Sequence, residues 1–347
     1  MEHTGHVRDS AADPDRDGPG GVRGIVAGLR SLAARGDPGV LAVVVATRGS
    51  TYRKPGALVL LDATGVRVGA LSGGCLEAEL EERARTVLAC GVAAEAVFDS
   101  SGDEDRVFGS GSGCGGSMQV RLLPVPADDA PLRDALLDAD AAGRALRLAL
   151  DGDAPAPGGG SAMLAGSMDA YCFDRCGRSA VRESDSTPTA VVTVARAPRL
   201  LLLGAGPETR PFLRHARELG WHVELLERRE RWAGFASGKL DALHRSVDAR
   251  SLLARHPFDA ALVMHHNFEL DARALAALAE SGVGFIGLLG PPARRDELLR
   301  GIGTRAADAF GARLHAPVGL PLGGEGAESI ALSIAAGLQR HFATHPG

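Results

Sequence analysis

The spacing of apolar residues changes character along the chain. Val22, Ile25, Val26, Leu29 and Leu32 recur at intervals of three and four, which predicts an amphipathic helix over 21–35. LAVVVAT at 41–47 is a short run rich in β-branched residues, read as a buried strand. ALVLLD at 57–62 and VRVGAL at 66–71 flank Ala63-Thr64-Gly65, a hairpin signal. Residues 75–90, rich in Leu, Glu, Ala and Arg, predict a helix, and SMQVRLLPV at 117–125 predicts a strand.

A plainer stretch follows, with a helix expected near 131–142 and a strand over 144–150. Pro and Gly at 151–161 indicate a surface loop. The polar, Arg-rich residues up to 198 hold strand-like segments at 170–173 and 190–195. From Arg199 strands alternate with helices: RLLLLGAG, a helix to Gly220, HVELLE, ALVMH at 261–265, a helix over 271–281, and GFIGLLG at 284–290. That alternation predicts a parallel, doubly wound sheet. The fold class is therefore α/β, with a mixed α/β N-terminal domain and a Rossmann-like C-terminal sheet. The expected divisions are a disordered tail over 1–20, an N-terminal domain over 21–198 and a C-terminal domain over 199–345.

Composition narrows the function classes. The 347 residues are 45% hydrophobic and only 4% aromatic, so the core must be aliphatic. A net charge of −5 gives no electrostatic footprint for nucleic acid or an anionic membrane. No apolar run has the length of a membrane span, and the first twenty residues lack the apolar stretch of a signal peptide. Five cysteines without an export signal read as reduced thiols in the cytoplasm.

Candidate chemistry lies in glycine-rich turns. Gly204-Ala205-Gly206 follows a buried strand and opens a helix, where one glycine makes the turn and the next lets a phosphate approach the helix N-terminus. Thr209 occupies the third glycine position of the dinucleotide fingerprint, and Glu227 stands where a ribose-binding acid belongs. In the N-terminal half, Gly73 and Gly74 precede Cys75 at a helix start, where the helix dipole favours a thiolate. Glu77 complements that dipole or hydrogen-bonds a ligand. A second loop, 108–116, places Cys114 among Gly113, Gly115 and Gly116. So much glycine builds no core; it frees the backbone for close approach. Two glycine-cradled cysteines suit a soft, anionic ligand carrying phosphate or a metal. Cys90 is expected to pack, Cys172 and Cys176 to be incidental, and the charged run 227–231, Glu227 apart, to be a solvated helix start.

These motifs resemble, in order, those of the XdhC/CoxI family. The N-terminal ones are 47–57 (TRGSTYRKPGA), 72–77 (SGGCLE) and 113–116 (GCGG). The C-terminal ones are 203–206 with Gly220-Trp221, His266-Asn267 with 269–271, 286–290, 316–320 and 328–334. The resemblance implies a chaperone for molybdenum cofactor, in molybdopterin or nucleotide form, and a maturation factor instead of a multi-turnover enzyme. It implies a cysteine desulfurase and a xanthine-dehydrogenase-type molybdenum hydroxylase as partners, and it admits a homodimer. Cofactor contacts would fall to Gly73, Gly74, Glu77, Gly113, Gly115, Gly116, Gly204, Gly206, Glu227 and His266. Cys75 and Cys114 would handle sulfur, with Cys75 touching molybdenum, and the Rossmann half would hold a nucleotide. The chain departs from the family at His265, Phe268 and Pro291-Pro292, the last standing where a Ser-Arg pair is usual. The alternative is an NAD(P)-dependent oxidoreductase working through the Gly204 loop.

Overall fold

A computed structural model describes residues 19–345 apart from 66, 75, 100–114, 153–157, 182–186 and 235–239. Nearly all of the expected tail lies outside the described residues. The N-terminal elements are α1 (Gly21–Arg35), β1 (Gly39–Arg48), β2 (Leu58–Asp62), β3 (Arg67–Val68), α2 (Glu77–Cys90), β4 (Ala94–Asp99) and β5 (Ser117–Val125). The strands form an antiparallel sheet in the order β3-β2-β1-β5-β4. Successive strand residues point to opposite faces. Leu41, Val43 and Val45 therefore join the cluster under α1, while Val40, Ala42 and Val44 join the one under α2. Both faces are buried as far as Val45, which is why 40–45 is apolar without a break.

Next come α3 (Pro131–Ala142), β6 (Leu146–Leu150), β7 (Gly160–Leu164), β8 (Ala170–Phe173) and β9 (Ala190–Val194), with a second antiparallel sheet in the order β8-β7-β6-β9. Its Leu148, Ala162 and Val192 share one hydrophobic cluster with Ile25 and Leu41. Arg121 on β5 also ties the sheets together. It is buried beside its cross-strand partner Glu95 and donates to the carbonyls of Asp151 (3.0 Å) and Gly152. Two strands of this N-terminal half were not anticipated. β4 carries Glu95 on the pleat between Ala94 and Ala96, so its alternation is blurred by a buried ion pair. β7 begins inside the stretch expected to be loop, because Gly160 lets the backbone pass close to the Ala149 carbonyl.

The C-terminal elements are β10 (Arg199–Leu203), α4 (Thr209–Glu218), β11 (His222–Leu226), α5 (Glu230–Ala233), β12 (Ala242–His244), α6 (Ala249–Arg255) and β13 (Ala260–Val263). They continue as α7 (Phe268–Ala279), β14 (Phe285–Leu288), α8 (Pro292–Ile302), α9 (Thr304–Asp308), β15 (Leu314–His315) and α10 (Gly326–Thr344). All six strands are parallel, in the order β12-β11-β10-β13-β14-β15. Leu200 and Leu202 pack towards α4 and α10, and Leu201 and Leu203 towards α6 and α7, so the sheet is doubly wound as expected. The strand order reverses between β10 and β13, which opens a crevice at their carboxyl ends.

Polar contacts join the halves. Arg23 of α1 donates to the Trp221 carbonyl and to Asp241, both at 3.0 Å. Beside them Glu224 is buried against Arg199 (2.8 Å), His222 (3.0 Å) and His244 (2.8 Å). Burial pushes this carboxyl up, but the two histidines and Arg199 outweigh it and bring its pKa to about 2. No helix among the described residues is long and apolar enough to cross a membrane.

Candidate functional site

In the N-terminal half, β1 ends where Arg48 pairs with Ser117 at the start of β5. Just beyond that pair two motif stretches touch backbone to backbone. A Cβ on Gly49 would lie 2.7 Å from the Gly115 carbonyl oxygen, and one on Gly116 only 2.2 Å from that of Ser50. Side chains are excluded here by geometry, so these two glycines are explained by the fold. Gly115 is different: it is exposed, with φ 62°, and nothing lies within 4 Å of where its Cβ would be. Gly113 and Cys114 lie outside the described residues.

The 72–77 turn is closed by its own side chains. The buried Glu77 carboxylate accepts from the Ser72 N–H (2.9 Å), the Leu76 N–H (3.2 Å) and the Ser72 hydroxyl. That hydroxyl oxygen accepts in turn from the N–H groups of Gly74 and Leu76, each at 3.1 Å. Burial pushes the Glu77 carboxyl up, yet the Ser72 bonds and the Arg67 charge hold it below the ordinary carboxylate range. Glu77 thus staples the turn. Gly73 and Gly74 are exposed, with nothing within 4 Å of either Cβ position, and Gly74 has φ 120°. Cys75 lies outside the described residues, two positions before α2 begins. Cys90 is exposed, contrary to the packing role expected of it, and Cys172 and Cys176 are half-buried free thiols. Cys90 ends α2 on a side turned from the cluster that takes Leu80, Ala84 and Val87.

At the crevice of the C-terminal sheet, Gly204 (φ 92°) passes so close to His265 that a Cβ would lie 2.5 Å from its backbone. The Gly206 N–H donates to the Thr209 hydroxyl at 2.9 Å, so Thr209 closes the turn where the fingerprint has glycine. Over Gly206 lies the half-exposed ring of His266, which pairs with the buried Glu208 at 2.9 Å. That hydrogen bond raises the histidine's pKa against the opposing effect of burial. His266 holds φ 54°, a left-handed conformation rare for a residue with a side chain. His265 is buried and bonds Asp271 through Nδ1 (3.1 Å), and Arg294 donates to the other oxygen of Asp271 (2.7 Å). Arg294 stands two positions past the Pro291-Pro292 pair, and its guanidinium brings a cation to this turn.

Glu227 is buried at the end of β11 as anticipated, but it is fully engaged. It accepts from the Ala205 N–H (3.1 Å) and from Arg229 through its backbone N–H (2.8 Å), Nε (2.9 Å) and a terminal nitrogen (2.6 Å). Burial raises this carboxyl, and Arg229 more than offsets the rise. Arg229 also donates to the His265 carbonyl at 2.9 Å, linking the ends of β11 and β13. The charged run at 227–231 is therefore only partly a solvated helix start: Arg228 and Glu230 are exposed, while Arg229 turns inward. A cleft of about 490 Å³ opens beside it, bounded by Leu203, Leu226, Arg228, Arg229, His265 and Ala274 among others. Sequence reasoning missed Arg229 and Glu208. The signal for Glu208 was its place two residues past the glycine turn, and that for Arg229 its place two residues past Glu227.

Known proteins match both halves. The XdhC Rossmann domain model covers residues 200–338, and the XdhC and CoxI family model covers 32–99. A Bacillus subtilis (strain 168) protein, named as a probable subunit of xanthine dehydrogenase, is 27% identical over 327 residues, spanning 89% of this chain and 94% of that protein. A Bacillus halodurans crystal structure described as a xanthine dehydrogenase aligns with a TM-score of 0.75 at 28% identity, over 92% of this chain and 96% of that one. With both halves matched in their proper order, the chain belongs to the XdhC and CoxI family.

Proposed function

We propose that this protein carries molybdenum cofactor for a xanthine-dehydrogenase-type enzyme. It shields the cofactor from oxidation, helps a cysteine desulfurase place the terminal sulfur, and passes the product to the hydroxylase. Family membership and the relatives' names point to an accessory role beside xanthine dehydrogenase. The observation that supports the finer reading is the set of exposed, uncrowded glycines. Gly73, Gly74 and Gly115 leave open space where side chains would stand, each next to or one residue from a cysteine. Backbone freed in this way suits the phosphate of a pterin cofactor, and thiolates from Cys75 and Cys114 suit its molybdenum and sulfur. An oxidoreductase reading that uses NAD, with its free ribose diol, fares worse, because Glu227 already receives four donors and cannot take that diol as well.

The test is pterin and molybdenum content. Protein purified from cells that make molybdenum cofactor should yield pterin fluorescence after acid oxidation, and apo-protein should take up free cofactor. Folded protein that takes up none would remove the proposal.

A further inference from the structure

Glu227 occupies the position that reads a ribose diol in dinucleotide folds. A carboxylate has about four acceptor sites, and here the Ala205 N–H and three Arg229 donors use them. A sugar hydroxyl would have to expel Arg229 from a buried charge pair, which is costly. The rest of the neighbouring cleft has the opposite bias. Its wall is aliphatic, from Leu203, Leu226 and Ala274, and about 490 Å³ holds a nucleoside. Its rim is cationic. Asp248 is spent on capping α6 through Ser251 (3.0 Å), and the exposed Arg250 has only a surface partner, Glu280. Among the described residues Arg228 has no carboxylate partner and donates only to the Val247 carbonyl, at 3.3 Å.

We infer that this cleft binds a nucleotide bearing a phosphate on its ribose, with Arg228 reading that phosphate. The base lies against the aliphatic wall, and the ribose phosphate meets the guanidinium groups at the end of β11. Arg229 stays on Glu227 and supplies its remaining N–H donor. A guanidinium recognises a phosphate oxygen pair by charge-assisted hydrogen bonds and gains nothing comparable from a bare diol. This inference concerns the C-terminal half and goes beyond the molybdenum-cofactor proposal without resting on it.

Calorimetric titration of the full chain at low salt tests it, using adenosine 2′,5′-bisphosphate, adenosine 3′,5′-bisphosphate and 5′-AMP. At least one bisphosphate should bind ten-fold or more tightly than 5′-AMP, and the tighter isomer identifies the phosphate position. Arg228→Ala, an exposed change that leaves the fold in place by circular dichroism, should reduce that preference to within about three-fold. Equal binding of all three, no binding to folded protein, or an unchanged preference in Arg228→Ala would overturn the inference. Pterin content of Arg228→Ala, measured separately, should match wild type, so failure here and failure of the carrier reading are told apart.

Discussion

Alanine at Gly73 and alanine at Gly116 should have opposite consequences, because the two glycines exist for different reasons. At Gly116 the new methyl would sit 2.2 Å from the Ser50 carbonyl oxygen and 2.8 Å from that of Arg48, where ordinary contact begins near 3.4 Å. Both obstacles are backbone, so no side chain can swing away. The junction of β1 and β5 must open by about 1 Å, an overpacking cost of about 1–3 kcal/mol. A loss of that size lowers the N-terminal transition by several degrees, about 2–4 °C per kcal/mol for a domain of this size. At Gly73 nothing lies within 4 Å and the backbone is not left-handed, so folding should be unchanged within about 0.5 kcal/mol. If that glycine serves the close approach of a cofactor, Gly73→Ala loses most bound pterin at unchanged Tm. Differential scanning calorimetry with pterin quantitation on the same samples reads both quantities. Gly73→Ala protein that keeps its pterin, or Gly116→Ala protein that keeps its Tm, refutes the assignment for that position.

Three further outcomes are expected. Glu224 has its folded pKa depressed from 4.5 to about 2, so its stabilisation is complete above 4.5 and is lost as pH falls through that window; at ~1.36 kcal/mol per unit it amounts to about 3 kcal/mol. The urea midpoints of wild type and Glu224→Gln should therefore converge between pH 5 and pH 2.5, and parallel curves would contradict the cluster's role. His266 has its pKa raised by Glu208, so the pair contributes below the unfolded value and its contribution disappears as pH rises through the folded one. In an NMR titration Glu208→Gln should move His266 down, and an unmoved curve would show that the contact does not set it. Among the cysteines, Cys75→Ala should abolish activation of the target enzyme with the fold intact, Cys114→Ala should be milder, and Cys90→Ala, at an exposed position, should be silent. Alkylation rate against pH should show Cys75 reacting below the ordinary thiol range of about 8.5, and failure on both counts defeats a sulfur-handling role.

The sequence by itself determined the elements whose signal is local. α1, α3 and β5 fall on the residues their periodicity marks, and the alternation of strands and helices from β10 onward marks the parallel sheet. The ordered motifs carried the family. What the sequence could not decide was which polar residues are spent on one another. Arg121 finds Glu95 across a strand pair 26 residues apart, His266 finds Glu208 across 58, and Arg23 finds Asp241 across 218. Thr209, standing at the third glycine position of the fingerprint, closes the turn with its hydroxyl, and Arg229, read as solvated, fills the acid that was to hold a ribose. Periodicity reports which side of an element is apolar, because burial acts on each residue through its immediate surroundings. A hydrogen bond between distant side chains depends on the strand order that brings them together, and no local pattern encodes that order.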